Sequence, residues 1–144
     1  MQQLLLAANE GDAGAQYNLG VFFANPLDDN NHPVAPDRAA SIKWLLEAAR
    51  QGLPRAQLKL AEAYAHQPVG PEDCVKACTW FLLAAANSTG IHQQWARSGY
   101  AQAASKLTPA RIATASARAR VWKPQSHDKT PVSSTSKGPV WRMR

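Results

Sequence analysis

The chain contains an internal repeat, and this repeat limits its fold more than any other feature of the sequence. Residues 7–24 return as residues 48–65, at an offset of 41 positions, and residues 37–49 return as residues 73–85, at an offset of 36. The offsets differ because the loop inside the first copy is five residues longer than the loop inside the second. Repeats of this length are typical of stacked arrays, in which a single unit cannot bury its apolar face alone.

The spacing of apolar residues predicts a helix in each repeated segment. Ala15, Leu19 and Phe22 recur at steps of four and three, which places them on one side of an α-helix. The predicted helices cover residues 12–24, 37–50, 54–66 and 73–86. The sequence therefore predicts an all-α fold, a short α-solenoid of helix-loop-helix repeats with antiparallel neighbours and no sheet.

The repeated residues resemble those of a known family. Each copy has an alanine, a glycine, an alanine-glutamine pair and a leucine, then a loop with valine and aspartate, then tryptophan before an alanine pair. The first copy has these as Ala8, Gly11, Ala15, Gln16, Leu19, Gly20, Val34, Asp37, Trp44, Ala48 and Ala49, and the second as Ala49, Gly52, Ala56, Gln57, Leu60, Ala61, Val69, Asp73, Ala77, Trp80, Ala84 and Ala85. The pattern is similar to the Sel-one-like repeat, a relative of the tetratricopeptide repeat. The resemblance implies an α-solenoid that binds another protein, with no cofactor and no chemistry of its own.

The regions after the second copy lack a complete repeat. Residues 91–107 keep helical spacing, with Trp95 among the regularly spaced residues, but lack the alanine-glutamine pair, and residues 107–124 resemble the closing helix that follows such arrays. We therefore predict a solenoid domain over residues 1–122, with about two full repeats and closing helices. Residues 123–144 contain three prolines and few aliphatic residues, which predicts a disordered basic tail.

The start of the chain falls within the repeat pattern. Residues 4–8 align with the end of the second helix in the later units. Two interpretations stay open: a truncated or internal start at Met1, or a helix stub that serves as an N-terminal cap. The sequence has no run of about 18 apolar residues and no signal peptide. We expect a cytoplasmic monomer without a membrane span, or a periplasmic or secreted protein if an N-terminal region is missing.

The net charge of +6 is concentrated at the C-terminal end. Residues 1–104 hold nine acids and seven bases, whereas residues 105–144 hold one acid and nine bases. This basic end supports an alternative function, an accessory binder of nucleic acid or anionic surfaces. Its bases are spread among polar residues and do not form the clusters of about four to eight that mark lipid recognition. A solubilising tail is therefore the preferred interpretation, and nucleic acid is the less favoured partner.

Three groups of side chains have the chemistry of functional sites. Cys74 and Cys78 lie one helical turn apart and offer half a zinc site, but their positions in the repeat favour free buried thiols. The oxygen-rich loop 28–32 lacks the glycine and the glutamate that a calcium loop needs at its sixth and twelfth positions. The four histidines are far apart in sequence and none lies near a candidate nucleophile. The sequence thus predicts no catalytic residue, no metal or cofactor site and no small-molecule substrate.

The outward positions of the first helices form the candidate partner site. Inward positions of these helices are small or apolar in both copies, whereas two outward positions hold different residues in the two copies. They are Asn18 and Val21 in the first copy and Lys59 and Glu62 in the second. Repeat proteins often use the surfaces of stacked units for binding, so we predict that these residues bind another protein or peptide. The alternative is an ordinary solvated surface.

Overall fold

The computed structural model describes residues 2–66 and 68–125, and within these ranges it contains seven helices and no β-strand. The helices are α1 (Gln2–Asn9), α2 (Ala13–Ala24), α3 (Arg38–Arg50), α4 (Pro54–His66), α5 (Pro71–Asn87), α6 (Gly90–Ala104) and α7 (Pro109–Val121). The four predicted helices correspond to α2 through α5, and their ends agree within two residues. In the described part of the chain, no helix combines the length and hydropathy that crossing a membrane requires. The predicted all-α solenoid is confirmed.

Local side chains determine where the helices begin and end. The carboxylate of Asp12 accepts a hydrogen bond from the Ala15 N–H at 3.1 Å, and that of Asp37 accepts one from the Ala40 N–H at 3.0 Å. These contacts satisfy backbone donors that have no partner inside α2 and α3. Gly52 follows α3 at φ 95°, a left-handed conformation that terminates the helix and that glycine adopts without strain.

The helices stack in the order of the sequence. α2 packs on α3 and α4 packs on α5, forming two helix pairs, and contacts between α3 and α4 join the pairs. Asn87, at the end of α5, contacts Gln57 near the start of α4 at 3.2 Å, as antiparallel neighbours require. α1 packs on α2 and α6 packs on α5, so these helices continue the array at its two ends. α1 therefore occupies the place of a second helix, and α6 that of the first helix of a third unit.

Large and small residues alternate in the core. Leu19 and Leu60 occupy equivalent positions in the two copies and are almost fully buried. A Cβ atom at Gly20 would lie 2.5 Å from Cγ of Leu45, so α2 and α3 approach closely because position 20 has no side chain. Burying each large apolar side chain contributes about 1.5–3 kcal/mol, before the opposing chain entropy is counted.

Three glutamines attach each first helix to the helix before it. Each side-chain Nε2 donates a hydrogen bond to the carbonyl oxygen eight residues earlier, at 3.0–3.2 Å. The pairs are Gln16 with Ala8, Gln57 with Ala49 and Gln93 with Ala85. Segment 91–107 thus lacks the alanine of the alanine-glutamine pair, which is replaced by His92, but keeps its glutamine. This shared bond identifies α6 as a repeat helix rather than only a closing segment.

The oxygen atoms of two of these glutamines accept bonds from the following second helix. Oε1 of Gln16 accepts from Nε2 of Gln51 at 2.9 Å, and Oε1 of Gln57 accepts from Nδ2 of Asn87 at 3.2 Å. Each glutamine therefore bridges the preceding second helix and the end of its own unit. Because Gln16 and Gln57 are buried, these bonds also remove the cost of leaving their amides unpaired.

The C-terminal helix leaves the array and packs on α5. Arg118 of α7 donates a hydrogen bond to Glu72, in the first turn of α5, at 2.6 Å. Trp122 packs edge-to-face on Trp80, with ring centroids 5.9 Å apart, and the Gln125 N–H donates to the last carbonyl of α3 at 2.5 Å. The chain after Arg118 therefore runs along α5 towards the turn between α3 and α4. Most of the predicted tail, residues 126–144, lies outside the described residues, so the boundary at residue 123 stays a prediction.

Candidate partner-binding face

The first helices α2, α4 and α6 lie side by side. We call the side that they expose together the first-helix face. It is defined by two positions in each of three successive units, related by the repeat offsets: Asn18 and Val21, Lys59 and Glu62, Trp95 and Ser98. Two hollows open on this face, one between each pair of neighbouring helices.

The smaller hollow lies between α2 and α4 and has a volume of about 200 Å³. Val21, Lys59 and Glu62 line it, and Leu45 of α3 forms part of its floor. Asn18, one helical turn before Val21, is exposed but does not line this hollow. The structure therefore places three of the four predicted partner residues around one depression and the fourth beside it. Whether they bind a partner stays a prediction.

The larger hollow lies between α4 and α6 and has a volume of about 750 Å³. Glu62 belongs to its lining too, so the two hollows share a wall on α4. Phe81 of α5 lies at the floor, in the position equivalent to Leu45, and Trp95 and Lys106 lie along the α6 side. The first-helix face thus has an apolar floor with polar and aromatic walls, an arrangement suited to a peptide or a protein segment.

Trp95 is the residue of this face that the sequence analysis missed. Trp95 is 53% exposed, whereas the sequence analysis noted only its regular helical spacing. The repeat offset gives the better signal, because Trp95 stands 36 residues after the outward Lys59. The ring of His92 packs edge-to-face against Trp95, with centroids 5.3 Å apart.

The charged residues of the first-helix face form weak, accessible contacts. Nζ of Lys59 lies 3.7 Å from Oε1 of Glu62, and both side chains are about half exposed. Exposed ion pairs of this kind contribute roughly 0–1 kcal/mol to stability, so either residue can exchange its partner at small cost. Arg55 lies over the ring of Tyr17, 5.0 Å from its centroid, and this contact ties α4 to α2 beside the smaller hollow.

The other candidate residues are Cys74, Cys78 and those of loop 28–32, and the contacts of these residues serve the fold. Cys74 and Cys78 are free and buried, and burial raises the pKa of Cys78 to about 11, which keeps its thiol protonated at neutral pH. The Asp28 carboxylate accepts hydrogen bonds from the backbone N–H groups of His32 and Asn30, which lower its pKa and close the loop. Within residues 2–66 and 68–125, no cluster of three or more histidine, cysteine or acidic side chains is arranged to hold a metal ion.

Comparison with known proteins identifies the repeat. The family model of the Sel1 repeat, the Sel-one-like repeat, matches residues 13–53 and 54–88. Among solved structures, the chain is similar to the crystal structure of a protective antigen of uropathogenic Escherichia coli strains that displays an SLR fold, with 27% sequence identity and a TM-score of 0.46. That similarity covers 92% of this chain and 30% of the antigen, so the chain spans less than a third of the other protein. No curated protein matches.

Proposed function

The chain belongs to the Sel1 repeat family, whose repeats mediate protein–protein interactions, and from this premise we propose that it is a non-enzymatic adaptor or scaffold that binds another protein or peptide on its first-helix face. The residues that carry the binding are Asn18, Val21, Lys59 and Glu62, together with Trp95. The protein needs no cofactor and turns over no substrate in this role.

The exposure of Trp95 is the observation that supports this proposal most. About half of the Trp95 side chain is in contact with water, beside a hollow with an apolar floor. Covering such a surface is favourable by roughly 25 cal/mol for each Å² of apolar area. Tryptophan is also among the residues that contribute most to binding at protein interfaces. A partner on this face would therefore gain affinity from a residue that contributes little to the fold.

Site-specific photo-crosslinking tests the proposal. Ser98, on the first-helix face, is replaced by benzoylphenylalanine, and Lys43, exposed on α3 away from both hollows, is replaced in a matched control. We expect the probe at position 98 to capture a defined partner in cell extract, and an excess of unmodified protein to prevent the capture. The probe at position 43 should not capture it. Equal capture at both positions would contradict the proposal.

The alternative function, binding of nucleic acid through the basic C-terminal end, has less support. One of its bases, Arg118, is already paired with Glu72. The other described bases of this end include Arg111, Arg120 and Lys123, which are exposed and separated along the chain. Binding through phosphates would weaken steeply between about 50 and 200 mM salt, whereas binding on the first-helix face would change less. A salt titration of partner binding therefore separates the two functions.

A further inference from the structure

The larger hollow differs from the smaller one in what its walls offer to a ligand. Trp95 stands where Asn18 and Lys59 stand in the two preceding units, so only the third unit presents a large aromatic ring at this outward position. Phe81 closes the floor beneath it. A large apolar side chain that enters the hollow can therefore pack on the ring of Trp95 and on the floor at once, as anchoring residues do at protein interfaces.

In the larger hollow, the charged group that is most available to a ligand is the ammonium group of Lys106. Lys106 lies at its edge, and among the described residues Lys106 takes part in no ion pair. The acid of the lining, Glu62, has Lys59 as its partner at 3.7 Å. A carboxylate on a ligand would therefore have Lys106 to itself, whereas a ligand cation would share Glu62 with Lys59.

Trp95 and Lys106 are arranged along one side of α6 and the turn that follows it. Their separation of eleven residues corresponds to about three helical turns, and Gln102 lies between them on the same side. At about 1.5 Å per residue the two ends of this stripe are about 16 Å apart. An extended peptide advances about 3.3 Å per residue, so about five residues cover that distance.

We propose that the larger hollow binds an extended segment of the partner protein that carries a large apolar side chain for Trp95 and a carboxylate for Lys106, about five residues apart. This inference rests on the proposed function and specifies the chemistry of its partner. The segment lies along α6, with its backbone beside Gln102 and its apolar side chain above Phe81. The carboxylate determines which of two possible directions the segment takes.

Fluorescence anisotropy with designed peptides tests the inference on the full chain. The main probe is a fluorescein-labelled peptide of glycine and serine with one phenylalanine and one glutamate five positions apart. One control peptide has lysine in place of the glutamate, and another has the two residues two positions apart. We expect the main probe to bind the wild type about tenfold more tightly than either control.

Substitutions at Trp95 and at Lys106 test the two proposed contacts separately. Trp95→Ala should weaken the main probe by about tenfold, and Trp95→Phe should retain most of the binding. Lys106→Glu should reverse the charge preference, so that the lysine peptide becomes the better ligand. This reversal cannot result from partial unfolding, because unfolding weakens both peptides alike. Lys43→Glu, on the opposite side of the array, should leave both affinities unchanged.

The outcomes separate this inference from the proposed function. Equal binding of the glutamate and lysine peptides to the wild type, or binding that Trp95→Ala leaves unchanged, would overturn the inference. So would an oligonucleotide that displaces the main probe at equal concentration, or a protein dimer that Trp95→Ala dissociates. If no peptide binds while the probe at position 98 still captures a partner, the inference is wrong and the proposed function stands. If both experiments are negative, both are wrong.

Discussion

The two hollows of the first-helix face occupy equivalent places in successive units, but they differ nearly fourfold in volume, at about 200 and 750 Å³. Their floors hold the equivalent residues Leu45 and Phe81, and each lies close to a glycine of a first helix. Leu45 lies against Gly20, in its own unit, and Phe81 lies against Gly99, in the next unit. The repeat therefore keeps its helix pairing, while these close contacts and the hollows beside them differ between the units.

The second and third units share an inward hydrogen bond and differ in their outward side chains. Gln57 and Gln93 make the same bond to the preceding second helix, at 3.2 and 3.0 Å. The outward residues Lys59 and Trp95, two positions later in each unit, differ in charge, size and polarity. The inward bond is thus the same in both units, whereas the outward side chains give each hollow a different surface.

Replacing Gln57 by methionine should have the largest effect on stability. Gln57 is fully buried, and the change removes two hydrogen bonds, one to the Ala49 carbonyl, which keeps the Gly52 N–H as a donor at 3.0 Å, and one from Asn87. An intramolecular hydrogen bond contributes about 0.5–1.5 kcal/mol to stability, so we expect the loss of two to cost about 1–3 kcal/mol in urea unfolding. Gln93→Met should cost less than about 1 kcal/mol, because Gln93 is only half-buried and water can reach its partner. Equal losses would show that the two units depend equally on the glutamine.

Replacing Gly99 by alanine tests the contact that shapes the larger hollow. The new Cβ would lie 2.3 Å from Cε1 of Phe81, so the ring or α6 must move. Overpacking of this kind costs about 1–3 kcal/mol, and the better helix propensity of alanine offsets about 1 kcal/mol of it. We expect a net loss of up to about 2 kcal/mol in urea unfolding.

Gly70→Ala is the matched control for this change. Gly70 precedes α5 in an extended conformation at φ 176°, and a Cβ there would meet no atom within 4 Å. Its stability should stay within about 0.5 kcal/mol of the wild type. If Gly99→Ala behaves like this control, the Phe81 ring can move at little cost, and the glycine does not determine the shape of the hollow.

The ion pair between α7 and α5 should contribute stability that depends on pH. The hydrogen bond from Arg118 is the main reason why the pKa of Glu72 is lowered from its usual value of 4.5. A lowered pKa in the folded state stabilises the protein above the unfolded pKa, and this contribution disappears as the pH falls through the folded pKa. Because the Glu72 side chain is mostly exposed, we expect less than about 1 kcal/mol.

Arg118→Gln isolates this contribution. The difference in unfolding free energy between the wild type and the variant should be largest near neutral pH and should shrink below about pH 4.5. Comparing two proteins at each pH removes the effect of the other carboxylates, which titrate in both. A difference that is constant between about pH 6 and 3 would mean that Arg118 stabilises α7 by packing rather than by charge.

Much of the fold can be predicted from the sequence because helix ends and exposed positions depend on residues that are close together in the chain. Asp12, Asp37 and Gly52 mark helix ends through bonds or backbone angles within a few residues. The periodicity that predicted exposed positions for Lys59 and Glu62 is also local, and both side chains are about half exposed. Such features depend on the residues themselves and on their immediate neighbours, so a single sequence contains enough information to predict them.

The features that the sequence analysis missed depend on contacts between distant residues. His92 replaces the alanine of the alanine-glutamine pair in the third unit, so the repeat offset points to Trp95 only once the bond of Gln93 to the preceding helix is known. The path of the chain after α7 depends on the contact of Trp122 with Trp80, forty-two positions away in sequence. No periodicity predicts such a contact, because it occurs once and follows from which surface of α5 the array leaves open.

Exchanging the charges of Lys59 and Glu62 should have the smallest effect on stability and still change binding. The double variant Lys59→Glu, Glu62→Lys keeps an ion pair at the same spacing on α4, and both side chains are about half exposed, so the unfolding free energy should change by no more than about 0.5 kcal/mol. Capture of the partner should weaken, because Glu62 lines both hollows and Lys59 lines the smaller one. Unfolding of the variant would mean that these side chains point inward, against the exposure seen in the structure. Unchanged capture, together with a loss in Trp95→Ala, would assign the partner to the larger hollow alone, and unchanged capture in both variants would place the binding surface elsewhere.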